Sequence, residues 1–224
     1  MLAAGKNDKI TKEKIIGAVL DAAFVNSSGA TSLSDIADKL GIKKASLYNH
    51  YEGRDAIIAD TTRWCGDYLK RLTLVPPDLS AVARKYSAEV VLKGIFRRWF
   101  HLHKKDPLFK IYSFIQSEKY FSAEAVRILR ELKAKLFSQM QSVLSALAEA
   151  GKIRDEKPVV LSDYAEICIS MLVELVDGYV VQRKDEIRTN PETGEDSLFG
   201  SLPFEDQGVV EADRLVVRLA SLLQ

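Results

Sequence analysis

Hydrophobic residues recur along this chain at intervals of three and four positions, which is the period of an amphipathic α-helix. The first clear example predicts a helix over residues 11–25, with Thr11 as a possible N-cap and the cluster from Asn26 to Gly29 ending it. We find no run of alternating β-branched residues that predicts a strand. The sequence therefore predicts an all-α protein of about nine helices. The apolar stripe of the first helix is formed by Ile15, Ile16, Val19, Ala22, Ala23 and Phe24.

Breaker residues divide the remaining periodic pattern into further helices. Two short helices are predicted first, and a fourth helix is expected to stop before Pro76 and Pro77, because proline cannot donate a backbone hydrogen bond. The segment 189–207 is long and contains proline, glycine and acidic residues, so we expect a mobile surface loop. The predicted helices after the first are 32–40, 43–48, 54–74, 79–104, 107–120, 122–150, 158–187 and 208–223.

Helix length changes along the chain, and this change predicts two domains. The short helices form an N-terminal three-helix module over residues 1–54, and the long helices form a larger helical bundle over residues 55–224.

Composition places the chain among folded globular proteins. It has 224 residues, 47% hydrophobic and 28% charged, with a formal net charge of +1. An anionic partner would therefore have to meet a local basic patch, because the chain is not basic overall. Cys65 and Cys168 lie far apart in apolar windows and are expected to be core thiols. Without a signal-peptide pattern or an apolar stretch of about 18 residues, we expect a soluble, cytoplasmic protein.

Residues 31–60, TSLSDIADKLGIKKASLYNHYEGRDAIIAD, have the packing pattern of a helix-turn-helix. Ala37 is small enough for a close helix crossing, and Gly41 supplies the left-handed conformation of a tight turn. Ile42 and Leu47 then return to a small core. Either Thr31 or Ser32 is expected to cap the first of the two helices.

The second of these helices carries a polar outer face that suits a DNA duplex. Its two lysines stand near a helix N-terminus, where the macrodipole is already positive, and this unfavourable arrangement is relieved when phosphates bind. The alternative is an ordinary solvated helix face. The outward residues are Lys43, Lys44, Ser46, Tyr48, Asn49 and His50.

This run of residues resembles the DNA-binding signature of the TetR (tetracycline repressor) family. The likeness rests on the Thr/Ser start, the Ile-Ala pair, the Gly-Ile turn, the Ser-Leu-Tyr core and the aromatic residue before a loop that ends in a basic residue. The later helices match the family only in layout. The resemblance implies a sequence-specific DNA-binding regulator, expected to be a ligand-responsive repressor that acts as a homodimer on a palindromic operator.

The resemblance also implies individual roles. Lys44, Ser46 and Asn49 would face base edges in the major groove, and Tyr48 would pack between sugar and phosphate. Lys43 stands where the family more often has a small or acidic residue, which leaves the operator sequence open. The backbone of the DNA would be gripped by Ser32, His50 and Arg54.

The larger domain is expected to bind an effector and to form the dimer. The window 164–181 and the last helix are apolar around much of their circumference, so these two helices are predicted to form a four-helix dimer interface. The alternative is that both are core helices of a monomer. Candidate pocket residues are aromatic and polar side chains of the long helices, with core packing as the alternative for each. They are Trp99, His103, Phe114, Gln116, Glu118, Cys168 and Met171.

An enzyme finds little support in the sequence. His101 and His103 diverge on a helix, so they are poorly placed to chelate one metal, and no phosphate loop or metalloprotease motif occurs. We therefore expect no metal, no cofactor and no catalysis, and double-stranded DNA, a small effector and a second copy as partners. Two alternatives remain: a DNA-binding protein of this fold controlled by a protein partner or acting architecturally, and a helical interaction module that has lost DNA binding.

Overall fold

The computed structural model describes residues 9–154, 157–189 and 204–224, with side chains in the last segment from Gly208 onward. All regular secondary structure in these residues is helical, as the sequence predicts. The predicted mobile loop over residues 189–207 lies mostly outside the described residues.

Ten helices occur in the described part of the chain, nine of them α-helices and one a 3₁₀ helix. The helices of the N-terminal region are α1 (Lys12–Asn26), α2 (Leu33–Leu40), the 3₁₀ helix (Lys44–Asn49) and α3 (Arg54–Leu69). The helices that follow are α4 (Leu79–Lys85), α5 (Ala88–His103), α6 (Leu108–Glu118), α7 (Ala123–Glu149), α8 (Pro158–Thr189) and α9 (Phe204–Leu223).

The sequence prediction was wrong about one long helix and about the end of another. The predicted helix over residues 79–104 is interrupted, because Tyr86 is extended and the Ser87 side chain accepts a hydrogen bond from the amide of Val90 to start α5. The helix predicted to reach residue 74 ends at Leu69. Leu74 is nevertheless buried, and its amide donates to the side chain of Gln139 over 2.8 Å.

The short helix after Gly41 is also tighter than an α-helix. The amide of Ser46 donates to the carbonyl of Lys43 at 2.8 Å, and that of His50 donates to Leu47 at 3.0 Å. These are bonds across three residues, which define a 3₁₀ helix.

The chain divides into two compact units, of which the first runs up to Lys70 and includes Lys110–Ile128. Its core combines α1, α2, the 3₁₀ helix and α3. The division at residue 54 predicted for function remains a prediction. Fully buried core residues include Ile15, Val19, Ile36, Leu47 and Ile57.

The second unit contains Arg71–Phe109 and Leu129–Gln224. Helix α5 lies at its centre and packs against α9 and α8. The contact with α9 is close: a Cβ placed on Gly208 would stand 3.1 Å from the Phe100 ring. The buried residues of this unit include Phe96, Trp99, Phe100, Cys168 and Val216. None of the described helices combines the length and hydropathy that a membrane span needs.

Candidate nucleic-acid interface

Helix α2 and the turn after it have the geometry that the sequence pattern predicts. Ser32 is the N-cap: its hydroxyl accepts from the amide of Asp35 at 3.2 Å, and its own amide donates to the Asp35 carboxylate at 2.7 Å. This reciprocal pair is a capping box. Gly41 ends the helix in the left-handed region, at φ 63° and ψ 32°, and the amide of Ile42 donates back to the carbonyl of Ala37 at 3.1 Å. Of the two predicted caps, Ser32 is therefore the one used, and the sharp turn follows from glycine.

The 3₁₀ helix turns one side inward and presents the rest to solvent. Leu47 is 1% exposed, while the side chain of Tyr48, one residue later, is 54% exposed. Lys43, Lys44 and Asn49 are exposed, and Ser46 and His50 are half-buried. In the described part of the chain, the structure gives these five polar side chains no internal hydrogen bond or ion pair. The predicted DNA-reading residues therefore lie on or beside one short helix with side chains that are exposed or half-buried, and their contacts with DNA remain predictions.

Arg54 has a role that sequence reasoning missed. Its Nε–H donates to the carbonyl of Thr31 at 2.6 Å, and a terminal nitrogen donates to the carbonyls of Ser28 and, at 3.1 Å, Gly29. Its other terminal nitrogen lies 3.3 Å from the Asp55 carboxylate. Arg54 thus holds the connection between α1 and α2 from the first turn of α3. A phosphate contact would have to use the donor capacity that remains.

Tyr51 connects the end of the helix-turn-helix to α3. Its hydroxyl donates to the carboxylate of Asp60 at 2.7 Å, and that carboxylate also accepts from Arg63 at 2.9 Å. Burial, followed by the bond to Asp60, raises the pKa of the Tyr51 hydroxyl, and the same bond lowers the pKa of Asp60. Lys12 of α1 lies 5.1 Å from the centre of the Tyr51 ring. The aromatic residue noted in the sequence is therefore a junction between α1 and α3.

Two polar contacts join the α6 portion of the first unit to α1 and its following turn. Lys110 lies 2.9 Å from Asp21, and the Ser28 hydroxyl donates to the buried carboxylate of Glu118. Glu118 was predicted to line a ligand pocket. Its partner is 90 positions away in the chain, so no local sequence signal could have identified this pair.

The candidate pocket residues fall into different units and do not form one described site. Trp99, His103 and Cys168 are buried and Met171 is half-buried in the second unit; Phe114 and Glu118 are buried and Gln116 is half-buried in the first. Trp99 and His103 do contact each other, with ring centroids 4.5 Å apart. A cleft of about 410 Å³ in the first unit is lined by Glu118, and one of about 270 Å³ in the second unit is lined by none of the seven.

Metal and thiol chemistry would depend on the His, Cys, Asp and Glu side chains of the described residues, including the buried Cys65 and Cys168. Within residues 9–154, 157–189 and 208–224 there is no group of three His, Cys, Asp or Glu side chains able to hold a metal ion. Burial raises the pKa of both the Cys65 and Cys168 thiols to about 12, so neither is a reactive thiolate at neutral pH.

A capped α2, a left-handed glycine turn and an outward polar 3₁₀ helix together define a helix-turn-helix DNA-binding protein. Comparisons with known proteins agree. Residues 28–61 match the family described as "Bacterial regulatory proteins, tetR family". The biofilm operon icaADBC negative transcriptional regulator IcaR of Staphylococcus aureus is 24% identical over 149 residues, covering 66% of this chain and 72% of that protein.

Solved structures show the same fold over nearly the whole length. A TetR transcription regulator from Haloarcula marismortui superposes with a TM-score of 0.58 at 14% identity, covering 95% of this chain and 97% of that one. The regulator FadR from Bacillus subtilis, solved in complex with stearoyl-CoA, gives 0.56 at 13% identity, covering 96% and 100%. Residues 28–61 therefore match the DNA-binding segment of the TetR family, and nearly the whole chain has the fold of solved TetR-family regulators.

Proposed function

We propose that this protein is a ligand-responsive repressor that binds a palindromic operator as a homodimer. The observation that supports it best is the outward face of the 3₁₀ helix. Its exposed polar side chains form no hydrogen bond or ion pair with the described part of the chain. That face stands on a turn held by the capping box of α2, by Gly41 and by Arg54. Rigid support of this kind is what a side chain needs to read a base edge accurately.

In this proposal, base reading and backbone binding belong to different side chains. Lys44, Ser46 and Asn49 contact base edges, and an amide such as that of Asn49 can form a bidentate pair with adenine. Tyr48 packs on sugar and phosphate. Phosphates are bound by Ser32, Lys43 and His50, with Arg54 contributing chiefly by holding the turn.

A dimer is proposed because one short helix reads too few bases for stable specific binding. Much of the apolar face of α9 predicted for the dimer is buried within the chain, since Ala212, Val216 and Leu219 belong to the core. Other apolar side chains on the last two helices remain exposed and are assigned to the interface. Those assigned are Ile167 and Val181 on α8, and Val210, Val217 and Leu222 on α9; Val159, at the start of α8, is exposed as well.

Backbone approach and charge favour the same assignment. Gly178 lies away from the ends of α8 and is exposed to solvent. A Cβ there would meet no atom within 4 Å, so a partner helix could approach closely. Among the exposed charges for which the structure gives no ion pair with a described residue, α8 offers Glu174 and α9 offers Arg218. In a twofold dimer, α8 of one copy would face α9 of the other with complementary charge.

Repression and ligand response are inferred from relatives. The curated relative IcaR is a negative regulator, and the FadR structure contains stearoyl-CoA. In our proposal an effector binds the second unit and changes the spacing of the two DNA-reading helices in the dimer, which weakens their fit to the operator. Of the candidate pocket residues, Trp99, His103, Cys168 and Met171 lie in that unit and remain proposals for the site, whereas Phe114, Gln116 and Glu118 belong to the first unit.

Selection of bound duplexes from a random pool tests the DNA-binding part. We expect enrichment of a palindrome with half-sites about 34–36 Å apart or a multiple of that spacing. Lys44→Ala and Asn49→Ala should change the enriched sequence, whereas Lys157→Ala, an exposed lysine of the second unit, should not. Failure to enrich any sequence would contradict the proposal and favour an interaction module.

Analytical ultracentrifugation tests the dimer. Val181→Glu combined with Val217→Glu should produce folded monomers, because both side chains are exposed in the protomer and their replacement leaves its core intact. Val25→Glu is the control, since Val25 is also exposed, lies on α1 and is outside the proposed interface. A double variant that stays dimeric would show that other surfaces form the dimer.

A further inference from the structure

A shallow cleft between α4 and α5 has the features of a binding site for a small amphipathic molecule. Its volume is about 270 Å³, and its lining combines apolar side chains with one arginine. None of the seven candidate pocket residues lines it. The apolar lining consists mainly of Leu74, Val82, Tyr86, Val90, Val91 and Ile95.

The floor of this cleft contains a glycine that packing within the chain does not require. Gly94 lies in the interior of α5, where glycine is less favourable than any residue except proline. Its φ is not in the left-handed region, and a Cβ at this position would meet no atom within 4 Å. Glycine here does one thing for the cleft: it leaves space above the helix backbone, between Val90 one turn before and Arg98 one turn after.

One lining residue is fixed before any ligand binds. Leu74 is 2% exposed, and its amide is held by the side chain of Gln139 at 2.8 Å. Tyr86, which also lines the cleft, has the Lys85 ammonium 5.1 Å from its ring centre. Tyr86 and Val90 remain 40% and 51% exposed, so apolar surface is left uncovered at the mouth. A ligand with an apolar chain would remove this surface from water.

The charged residue of the cleft is available for a ligand. Arg97 is paired with Asp213, with 3.0 Å between Nε and the carboxylate oxygen. For the adjacent Arg98, which is exposed, the structure gives no ion pair or hydrogen bond to any described residue. A guanidinium at one end of an apolar cleft selects an anionic head group such as a carboxylate or a phosphate.

The geometry points to a second-unit site for a single-chain amphiphile with an anionic head group, held at Arg98, whose alkyl chain lies across Gly94. The volume of about 270 Å³ lies just below the range of about 300–1,000 Å³ that is typical of ligand pockets, which suits one small single-chain molecule. This inference rests on the proposed ligand response and names the chemical class of its effector.

Isothermal titration of the full-length protein with three ten-carbon probes tests the site. Decanoate and decyl phosphate carry the two possible head groups, and decan-1-ol has the same chain without charge. We expect at least one anion to bind about tenfold or more tightly than the alcohol, as a charge-assisted hydrogen bond implies. Arg98→Gln should remove that difference, whereas Arg97→Gln should preserve it.

A substitution at Gly94, in the floor of the cleft, tests where the alkyl chain of the probe lies. Gly94→Leu should fill the cleft and weaken all probes about tenfold or more, yet it should not lower the unfolding temperature, because the added side chain meets open space. Gly17→Leu is the matched control for probe affinity, because Gly17 lies on α1 and an added Cβ there also meets no atom within 4 Å.

The outcomes separate clearly. Absence of binding, equal affinity for the alcohol and the anions, or affinity unchanged by Arg98→Gln or Gly94→Leu would each overturn the assignment. None of these results would affect operator selection, and a failed operator selection would leave the titration readable. The two proposals can therefore fail independently.

Discussion

The guanidinium of Arg54 holds the backbone of Thr31 through a hydrogen bond of 2.6 Å from Nε to the carbonyl oxygen. The same side chain donates to the carbonyls of Ser28 and Gly29. Since Arg54 begins α3 and Thr31 immediately precedes the N-cap of α2, one side chain determines where the helix-turn-helix starts relative to the helix that follows it. This role differs from the phosphate contact that the family resemblance implies.

Replacing Arg54 by lysine distinguishes the two roles. A lysine keeps the positive charge, but its three N–H donors sit on one nitrogen, whereas Arg54 reaches the Thr31 carbonyl with Nε and the carbonyls of Ser28 and Gly29 with a terminal nitrogen, so lysine cannot reproduce all of these contacts. We expect Arg54→Lys to lower the free energy of unfolding by about 2 kcal/mol, in the range of hydrogen bonds from a charged donor. Operator affinity should fall as far as in Arg54→Ala. Urea denaturation and fluorescence anisotropy with the selected operator measure both quantities.

A phosphate-binding role for Arg54 would give the opposite pattern, with affinity largely retained in Arg54→Lys. Lys43→Ala provides the comparison, because Lys43 is proposed to bind phosphate, is exposed and has no partner in the described part of the chain. If its ammonium lies near a phosphate, the slope of log affinity against log salt should change by about one unit, with little change in stability.

Ser32 allows capping and DNA contact to be separated. Ser32→Ala removes the acceptor for the Asp35 amide and should cost about 1 kcal/mol of unfolding free energy. Ser32→Asp keeps an acceptor at the cap, so it should restore most of that stability, but it brings a negative charge to the proposed phosphate contact. Operator affinity that is low in Ser32→Asp despite restored stability would support the contact.

Ser34→Ala serves as the control for these variants, because Ser34 is exposed on the same helix and does not cap it. Its stability should remain within about 0.5 kcal/mol of wild type, as is usual for surface substitutions. If Ser32→Asp binds the operator as tightly as wild type, Ser32 acts only as a cap.

The parts of this structure that the sequence predicted are the local ones. Ala37, Gly41 and Leu47 define the turn because their contacts and backbone angles are set within about ten residues, and the capping box is local as well. The Arg54 contacts could not be predicted, since backbone carbonyls have no signature in a sequence. The pair of Ser28 and Glu118, separated by 90 positions, is beyond any pattern read from one chain.

The prediction of helix ends was wrong for a different reason. The hydrophobic pattern of residues 79–104 continues through the break at Tyr86 and Ser87, because both flanking helices turn apolar residues toward the same core. Only the capping hydroxyl of Ser87 marks the interruption, and serine also occurs often on solvated helix faces. The seven predicted pocket residues were chosen by side-chain type alone, and the units they occupy depend on tertiary packing.

Gly66 of α3 lies directly against Ile128 of α7. A Cβ on Gly66 would stand 2.8 Å from Ile128 Cδ1, closer than such atoms approach without movement. We expect Gly66→Ala to lower the unfolding free energy by about 1–3 kcal/mol, as overpacking does, despite the better helix propensity of alanine. Ile128→Val, which removes Cδ1, should recover part of the loss when the two are combined.

The double-mutant cycle, measured by urea denaturation, should therefore show a favourable coupling of at least about 0.5 kcal/mol between these positions. Gly17→Ala is the matched control: Gly17 is an exposed glycine in α1 with open space around its Cα, so alanine there should stabilise the protein by about 0.5–1 kcal/mol. Additive effects in the cycle would mean that Ile128 moves aside without cost.

His103 should make stability depend on pH between about 4 and 6.5. The side chain is fully buried, its ring nitrogen Nδ1 lies 2.8 Å from the carbonyl oxygen of Trp99, and burial lowers its pKa to about 4. In the unfolded chain a histidine has a pKa of about 6.5, so the unfolded state gains a proton first as pH falls. The folded state is therefore favoured fully above pH 6.5 and loses stability at up to about 1.4 kcal/mol per pH unit toward pH 4.

Urea denaturation at several pH values between 7.5 and 4.5 checks this expectation. His103→Gln is expected to be less stable at neutral pH because it loses the contact with the Trp99 ring, but its stability should fall less steeply as the solution is acidified. His101→Gln changes an exposed histidine on the same helix and should keep the wild-type slope. Parallel curves for wild type and His103→Gln would show that His103 is not the group responsible, because the difference between those two curves isolates its titration from that of the carboxylates.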